Sequence, residues 1–152
     1  MAQTTYGVAN PCGYVGLSAD CVTYTDISGY AQSVTPAEQT RITGEAYTFS
    51  GDTAIFKAGK RQPVSVAVTI VYTEDDAGAW DRLDAINDAA NCPSEICFRW
   101  VPRGDTAGMQ QHTVTGALTG FQHPPMDASA GGPILTTFTV MGPEIETTVK
   151  AS

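Results

Sequence analysis

The decapeptide V-S-V-A-V-T-I-V-Y-T, residues 64–73, constrains the fold more than any other stretch of the chain. Successive side chains of an extended segment point to opposite faces, so Val64, Val66, Val68, Ile70 and Tyr72 share one side. That side requires a hydrophobic core. Ser65, Ala67, Thr69, Val71 and Thr73 form the other side, which is too small and mixed for a charged surface and too polar for a second core. The strand belongs to a sheet with one packed face and one uncharged, hydroxyl-rich face.

Directly after this strand the period changes. Ala79, Leu83, Ile86 and Ala90 fall on one helical face, Trp80 flanks it, and Asp81, Arg82, Asp84 and Asp88 point away. The spacing predicts a helix over about 78–90, docked on the sheet through Trp80, Leu83 and Ile86. Glu74, Asp75 and Asp76 precede it and suit the positive end of its dipole, while N-C-P at 91–93 marks its stop.

Strand patterns make up the rest. R-I-T-G-E-A-Y-T-F at 41–49 reads as a strand, S-G-D-T turns the chain, and A-I-F-K-A-G-K-R-Q-P at 54–63 reads as a short extended piece with a charged loop. Further strands are expected at I-C-F-R-W-V (96–101), H-T-V-T-G-A-L-T-G-F (112–121) and I-L-T-T-F-T-V-M-G (134–142), separated by loops at 102–108 and 122–133. Gly116 and Gly120 inside one strand predict a bend or bulge. Residues 1–21 read as an irregular arm, with regular structure beginning near C-V-T-Y-T-D-I-S-G-Y. The expected fold is a single mainly β domain over 1–152, a set of mostly antiparallel strands with one helix covering an end or face.

Eight basic residues stand against 16 acidic ones, a net charge of −8, so a phosphate-gripping surface is not expected. The opening M-A-Q-T-T-Y-G-V lacks the charged start and apolar run of a secretory signal, and no stretch reaches the roughly 18 apolar residues of a membrane span. A soluble product made in the cytosol, without a membrane anchor, is the expectation. Cys12, Cys21, Cys92 and Cys97 match no zinc or thioredoxin-like spacing; free thiols are expected, with a Cys12–Cys21 bridge as the alternative.

Residues able to carry catalysis do not converge. His112 and His123 stand in no metal-binding or triad pattern, the acidic run at 74–76 lacks a calcium-loop spacing, and the Gly-containing turns lack a phosphate-loop lysine. No catalytic, cofactor-binding or metal-binding residue is assigned, no cofactor is expected, and the chain is not expected to be an enzyme. Lys57, Lys60 and Arg61 form the one basic cluster. It reads either as a solvated hairpin tip or as a contact with an acidic surface on another copy of the chain.

The order D-I-S-G-Y-A-Q-S-V, E-A-Y-T-F-S-G-D, A-G-K-R-Q-P-V-S-V-A-V-T-I-V-Y-T, a helix with W-D-R-L, F-R-W-V-P-R-G, V-T-G-A-L-T-G-F and a closing G-P-E-I spans residues 22–146. It resembles the major tail tube proteins of long-tailed, non-contractile phages. The resemblance implies an antiparallel β-sandwich or half-barrel subunit with one peripheral helix, six copies closing into a ring, rings stacking into a hollow tube, and a genome passing through it as duplex DNA. It implies a virion location in the tail, assembly in the host cytoplasm, and tape measure, tail terminator and tail tip proteins as partners. The uncharged face of residues 64–73 then suits a wetted channel wall or a packed ring interface. The competing reading is a monomeric β-sandwich binding or adhesion module, which should cluster aromatic residues on one exposed loop set. Tyr24, Tyr47, Phe49, Tyr72, Phe98, Trp100 and Phe138 are expected mostly inside strands, which favours the tube. A small hydrolase is a distant third, for want of a nucleophile and a base.

Overall fold

The computed structural model describes residues 3–4, 12–88, 95–129 and 131–151. Alternation in the quoted decapeptide produces β6 (Val64–Val71), whose side chains are buried and half-buried by turns. Val64, Val66, Val68 and Ile70 lie in the core; Tyr72, just past the strand, is half-buried. β6 pairs antiparallel with β3 (Ala31–Pro36) on one side and β9 (Leu135–Gly142) on the other. β9 pairs with the far half of β8 (Gln110–Phe121). The near half of β8 pairs with β7 (Ile96–Val101) and β10 (Ile145–Val149). β1 (Tyr14–Ser18) and β2 (Thr25–Asp26) complete the order β2-β1-β7-β8-β9-β6-β3.

This sheet folds over on itself along β8. A Cβ at Gly116 would overlap the Met141 carbonyl, and one at Gly142 would come within 2.5 Å of the Thr115 oxygen, so the two strands cross closer than any side chain permits. The register shift between Leu118 and Gly120 adds a bulge, and together these produce the bend expected from the glycines. Leu17, Phe98 and Val114 from one half meet Val66, Ile70, Phe138 and Val140 from the other. Phe98 and Phe138 touch edge to face, centroids 5.9 Å apart. The open side is spanned by residues 27–30: the Ile27 amide donates to the Val15 carbonyl at 2.9 Å, and the Val71 amide donates to the Tyr30 carbonyl at 2.8 Å. The result is an antiparallel half-barrel closed over one core.

Helix α1 (Ala79–Asn87) covers one end of that core. Residues 89 and 90 of the expected span, Cys92 and the N-C-P stop lie outside the described residues. Gly78 is the N-cap, and the Asp81 carboxylate accepts from the Ala77 amide at 3.1 Å, satisfying a donor at the positive end of the helix. Ala79 and Leu83 are buried, Trp80 and Ile86 half-buried. The Trp80 indole donates to the Gln122 carbonyl at 3.3 Å and its ring lies 5.2 Å from that of Tyr72.

Three expectations are corrected. Among the described residues the first strand starts at Tyr14, inside the expected arm, because Val15 and Leu17 feed the core. Cys21 is bonded to Cys97, with Cα atoms 5.2 Å apart, so neither free thiols at both positions nor a Cys12–Cys21 bridge describes the chain; Cys12 is free and exposed. The cause is β-register, since Ser18 pairs with Cys97 and the turn that follows it carries Cys21 back over β7. Asp20 holds that turn, its carboxylate accepting from the Val22 and Thr23 amides, both at 2.9 Å, and from the Ser18 hydroxyl at 2.8 Å. These bonds lower its pKa below the ordinary 3.8, the Thr23 amide contributing most.

The third correction concerns Lys57, Lys60 and Arg61. They do not lie in a loop; they lie on β5 (Ile55–Arg61), which pairs with β4 (Arg41–Ala46) in a separate two-stranded sheet. Tyr47, Thr48 and Phe49, read as strand, fall in the turn beyond it.

Candidate assembly surface

The β4–β5 hairpin continues the β3–β6 ladder outward. The Ala37 amide donates to the Ser65 carbonyl and the Gln62 amide to the Thr40 carbonyl, both at 2.8 Å, so the two ladders are joined across Pro36 and Pro63. The Gln39 and Thr40 side chains both bond to Gln62, and the Arg41 guanidinium reaches the Gly59 carbonyl at 3.1 Å. Beyond this joint every residue of both strands is exposed. The exposure includes large apolar side chains: Ile42 at 56%, Ile55 at 51% and Phe56 at 62%. Tyr47 and Phe49 add to them at the tip. Large apolar side chains gathered on one exposed hairpin in this way mark an interaction surface.

Register sorts the hairpin into two faces. Gly44 opposes Lys57 and Ala46 opposes Ile55, so Ile55 and Lys57 share one face, to which alternation along β4 adds Ile42. Glu45 opposes Phe56 on the reverse face. Arg61 is paired within the chain, with its guanidinium 2.7 Å from the Glu144 carboxylate. Lys57 and Lys60 are exposed beside it. The structure thus brings the three basic residues together on one strand and places apolar side chains among them.

The reverse of the β6 alternation gives a second feature. Ser65, Ala67 and Thr69 stand beside Met141, Thr139 and Thr137 of β9, and Ala117 of β8 opposes Met141. The Thr69 and Thr137 hydroxyls lie 3.3 Å apart and the Thr119 hydroxyl donates to the Thr139 carbonyl at 3.4 Å. These strands present an uncharged face.

Other chemistry is dispersed. His112 stacks beside Trp100 with a ring nitrogen 2.9 Å from the Thr147 hydroxyl, whereas His123 lies in the aromatic group of Trp80 and Phe121. Among the described residues no three His, Cys, Asp or Glu side chains gather as metal ligands, and no helix is long and apolar enough to cross a membrane. Arg99 is stacked on the Tyr24 ring at 3.8 Å, with Tyr14 at 5.9 Å. Burial pushes the Tyr24 hydroxyl up in pKa, against the opposing pull of Arg99.

No protein-family model and no curated protein matches the chain. Solved structures do. A chain of the anti-feeding prophage cap, the AFP tube terminating cap, superposes with a TM-score of 0.75 over 98% of this chain and 95% of its own, at 14% identity. The PVC sheath-tube complex of an extracellular contractile injection system, in its extended state, contains a chain with a TM-score of 0.75, covering 97% and 99%, also at 14% identity. The SPP1 tail tube gives 0.63, covering 96% and 81%, at 15% identity. The chain has the tail tube fold.

Within that fold the apolar hairpin residues were missed by reading the sequence. Their signal was the presence of Ile42, Ile55 and Phe56 on either side of the S-G-D-T turn, which does not show what covers them. Of the aromatics expected inside strands, Phe98, Trp100 and Phe138 are there; Tyr24, Tyr47, Phe49 and Tyr72 lie outside strands. Two of them mark the hairpin tip, so their argument against a binding module fails and the hairpin itself has to decide.

Proposed function

We propose that this chain is a structural subunit of a tail tube: six copies close into a ring, rings stack into a hollow tube, and a phage genome is delivered through it. The observation that carries the reading is the β4–β5 hairpin, a hydrogen-bonded extension of the central ladder whose apolar side chains have no cover among the described residues. Interface centres are enriched in such aromatic and aliphatic groups and depleted of charge. A second copy supplies both the cover and, through exposed acids such as Glu74, Asp75 and Asp76, a counter-charge for Lys57 and Lys60, which flank the Arg61–Glu144 pair. The tail tube fold, carried in solved structures by chains of a tube cap, a sheath-tube complex and a tail tube, supports the same role. The role is non-enzymatic and needs no cofactor; tape measure, terminator and tip proteins are the partners in the virion, and duplex DNA is passing cargo. The uncovered edges of β3 and β2 at the two ends of the sheet are closed by neighbours in the ring, as barrel closure removes edges.

Negative-stain imaging of the purified protein at high concentration tests this. Hollow tubes or rings of uniform diameter are expected; featureless monomers under every condition, including added tail components, would favour the adhesion-module reading. Reversing Lys60→Glu and Arg61→Glu together should leave the subunit folded and abolish tubes, and unchanged tube yield would remove the basic strand from the interface. The higher TM-scores to chains of contractile injection systems favour a second form of the proposal, a tube inside a sheath rather than a bare non-contractile tail. Particles isolated with a sheath around the tube select that form, and bare flexible tails select the first.

A further inference from the structure

Resting on the tube reading, we propose that Arg99 is a carboxylate-binding site, clamped by Tyr14 and Tyr24 on the face of β7 that turns away from the core, and that it receives Glu45 from the hairpin of a second copy. Register fixes the clamp. Phe98 lies in the core, so its neighbour Arg99 points outward, and Gly16 of β1 stands opposite it. The Tyr14 ring lies over that glycine, where a Cβ would come within 2.7 Å of the Tyr14 hydroxyl oxygen. Tyr24, which follows the Asp20 turn, supplies the second ring, with the guanidinium carbon 3.8 Å from its centroid.

This cation is held without being neutralised. Stacking occupies the faces of the guanidinium and leaves its N–H edges, which bond a carboxylate in a planar fork, for an acid. No acid of the described residues provides it: the ion pairs there join Arg61 to Glu144 and Lys150 to Asp105. Arg99 Nε is moreover buried with no hydrogen-bond partner among those residues. The group has lost water without gaining an acceptor, and a carboxylate at its outer nitrogens offsets that loss. Several acids of the chain are engaged already, Asp20 by the Thr23 amide, Asp81 by the Ala77 amide and Asp127 by the Ser129 amide. Glu45 is engaged by none of the described residues. It lies on an exposed strand directly opposite Phe56, on the reverse of the hairpin face that carries Ile42, Ile55 and Lys57. An acid beside an uncovered ring is the complement of an arginine beside two half-buried rings. Aromatic contacts supply the area, and the ion pair sets the register of the docked hairpin.

Sedimentation of tubes at serial dilution gives the lowest concentration at which they persist, and this is the first readout. Glu45→Gln and Arg99→Gln should each raise it more than about tenfold. Glu45 is exposed in the subunit, so Glu45→Gln should leave the urea unfolding curve of the dispersed chain unchanged, which separates lost assembly from lost folding. Exchanging the charges, with Arg99→Glu and Glu45→Arg in one chain, should restore assembly relative to either change alone. The second readout is direct. Isotope-labelled and unlabelled Arg99→Lys subunits are assembled together above their threshold and treated with a zero-length carbodiimide. A cross-linked peptide should join position 99 of one copy to Glu45 of a copy with the other label. Normal assembly of Glu45→Gln or Arg99→Gln, failure of the exchanged chain to recover, or a cross-link from position 99 to a different acid would each overturn the inference while the tubes themselves uphold the tube reading. Absence of tubes from the unmodified chain would instead overturn the tube reading on which it rests.

Discussion

One antiparallel ladder runs through the middle of this molecule and out of it, and its two halves have opposite fates. In β3–β6 the alternation buries Val64, Val66, Val68 and Ile70, the last three in one cluster with Phe98, Phe138 and Leu83. In β4–β5 both faces are exposed, Ile42 and Ile55 on one and Phe56 on the other. Backbone pairing is equally regular in both, so the difference lies in what faces the sheet: the folded-over half and α1 in one case, none of the described residues in the other. Alternation states that a face requires cover and leaves open whether the cover is internal.

The largest effect separates the two halves directly. Phe138→Ala should destabilise the dispersed subunit by about 3–5 kcal/mol and Leu83→Ala by about 2–5 kcal/mol, both measured by urea unfolding, because each leaves a cavity in a packed core. Phe56→Ala on the hairpin should change the same curve by less than about 0.5 kcal/mol while preventing assembly. A Phe56→Ala loss comparable to that of Phe138→Ala would break the comparison, since the hairpin would then have a partner within the subunit.

Next in size is the Cys21–Cys97 bond, which closes a loop of 76 residues containing the whole ladder. Cys21→Ser, or reduction, should cost about 2–4 kcal/mol through the freed unfolded chain. Coincident melting of oxidised and reduced protein would show that the bond is absent in solution.

A smaller effect follows pH. Hydrogen bonds from Thr23, Val22 and Ser18 depress the Asp20 pKa in the folded state, so the stabilisation they provide is present above about pH 3.9, the unfolded value, and is lost as pH falls through the lower folded value. Amide exchange of residues 20–23, corrected for intrinsic rates, should rise in that window before the core opens. Asp20→Asn should remove the step, and persistence of the step would assign it to another group. The smallest expected effect is at Thr136, whose hydroxyl is buried on β9 without a partner among the described residues. Thr136→Val should be neutral or stabilise by up to about 1 kcal/mol; a clear loss of stability would reveal a bond to that hydroxyl.

Local pattern explains which parts of this structure were legible in the sequence. The β6 alternation, the change of period at Ala79 and the bend at Gly116 are each written in neighbouring residues, and each appears in the structure. The disulfide is not of this kind: pairing Cys21 with Cys97 depends on β1 lying against β7 with Ser18 opposite Cys97, a relation between segments 76 residues apart. The basic residues were misread as a loop because Gly59 and the charges around it mimic turn composition, while the pairing of Gly44 with Lys57 and Ala58 with Thr43 keeps them in a strand. Assembly surfaces are hardest to read, since the hairpin obeys the same rule as the core.

Hydrogen exchange on isolated subunits and on assembled particles tests most directly that the hairpin is completed by another copy. The account predicts that amides of residues 41–46 and 55–61 exchange rapidly in the subunit and are strongly protected in the particle, while those of 64–71 are protected in both. Hairpin exchange that stays unchanged on assembly would contradict it.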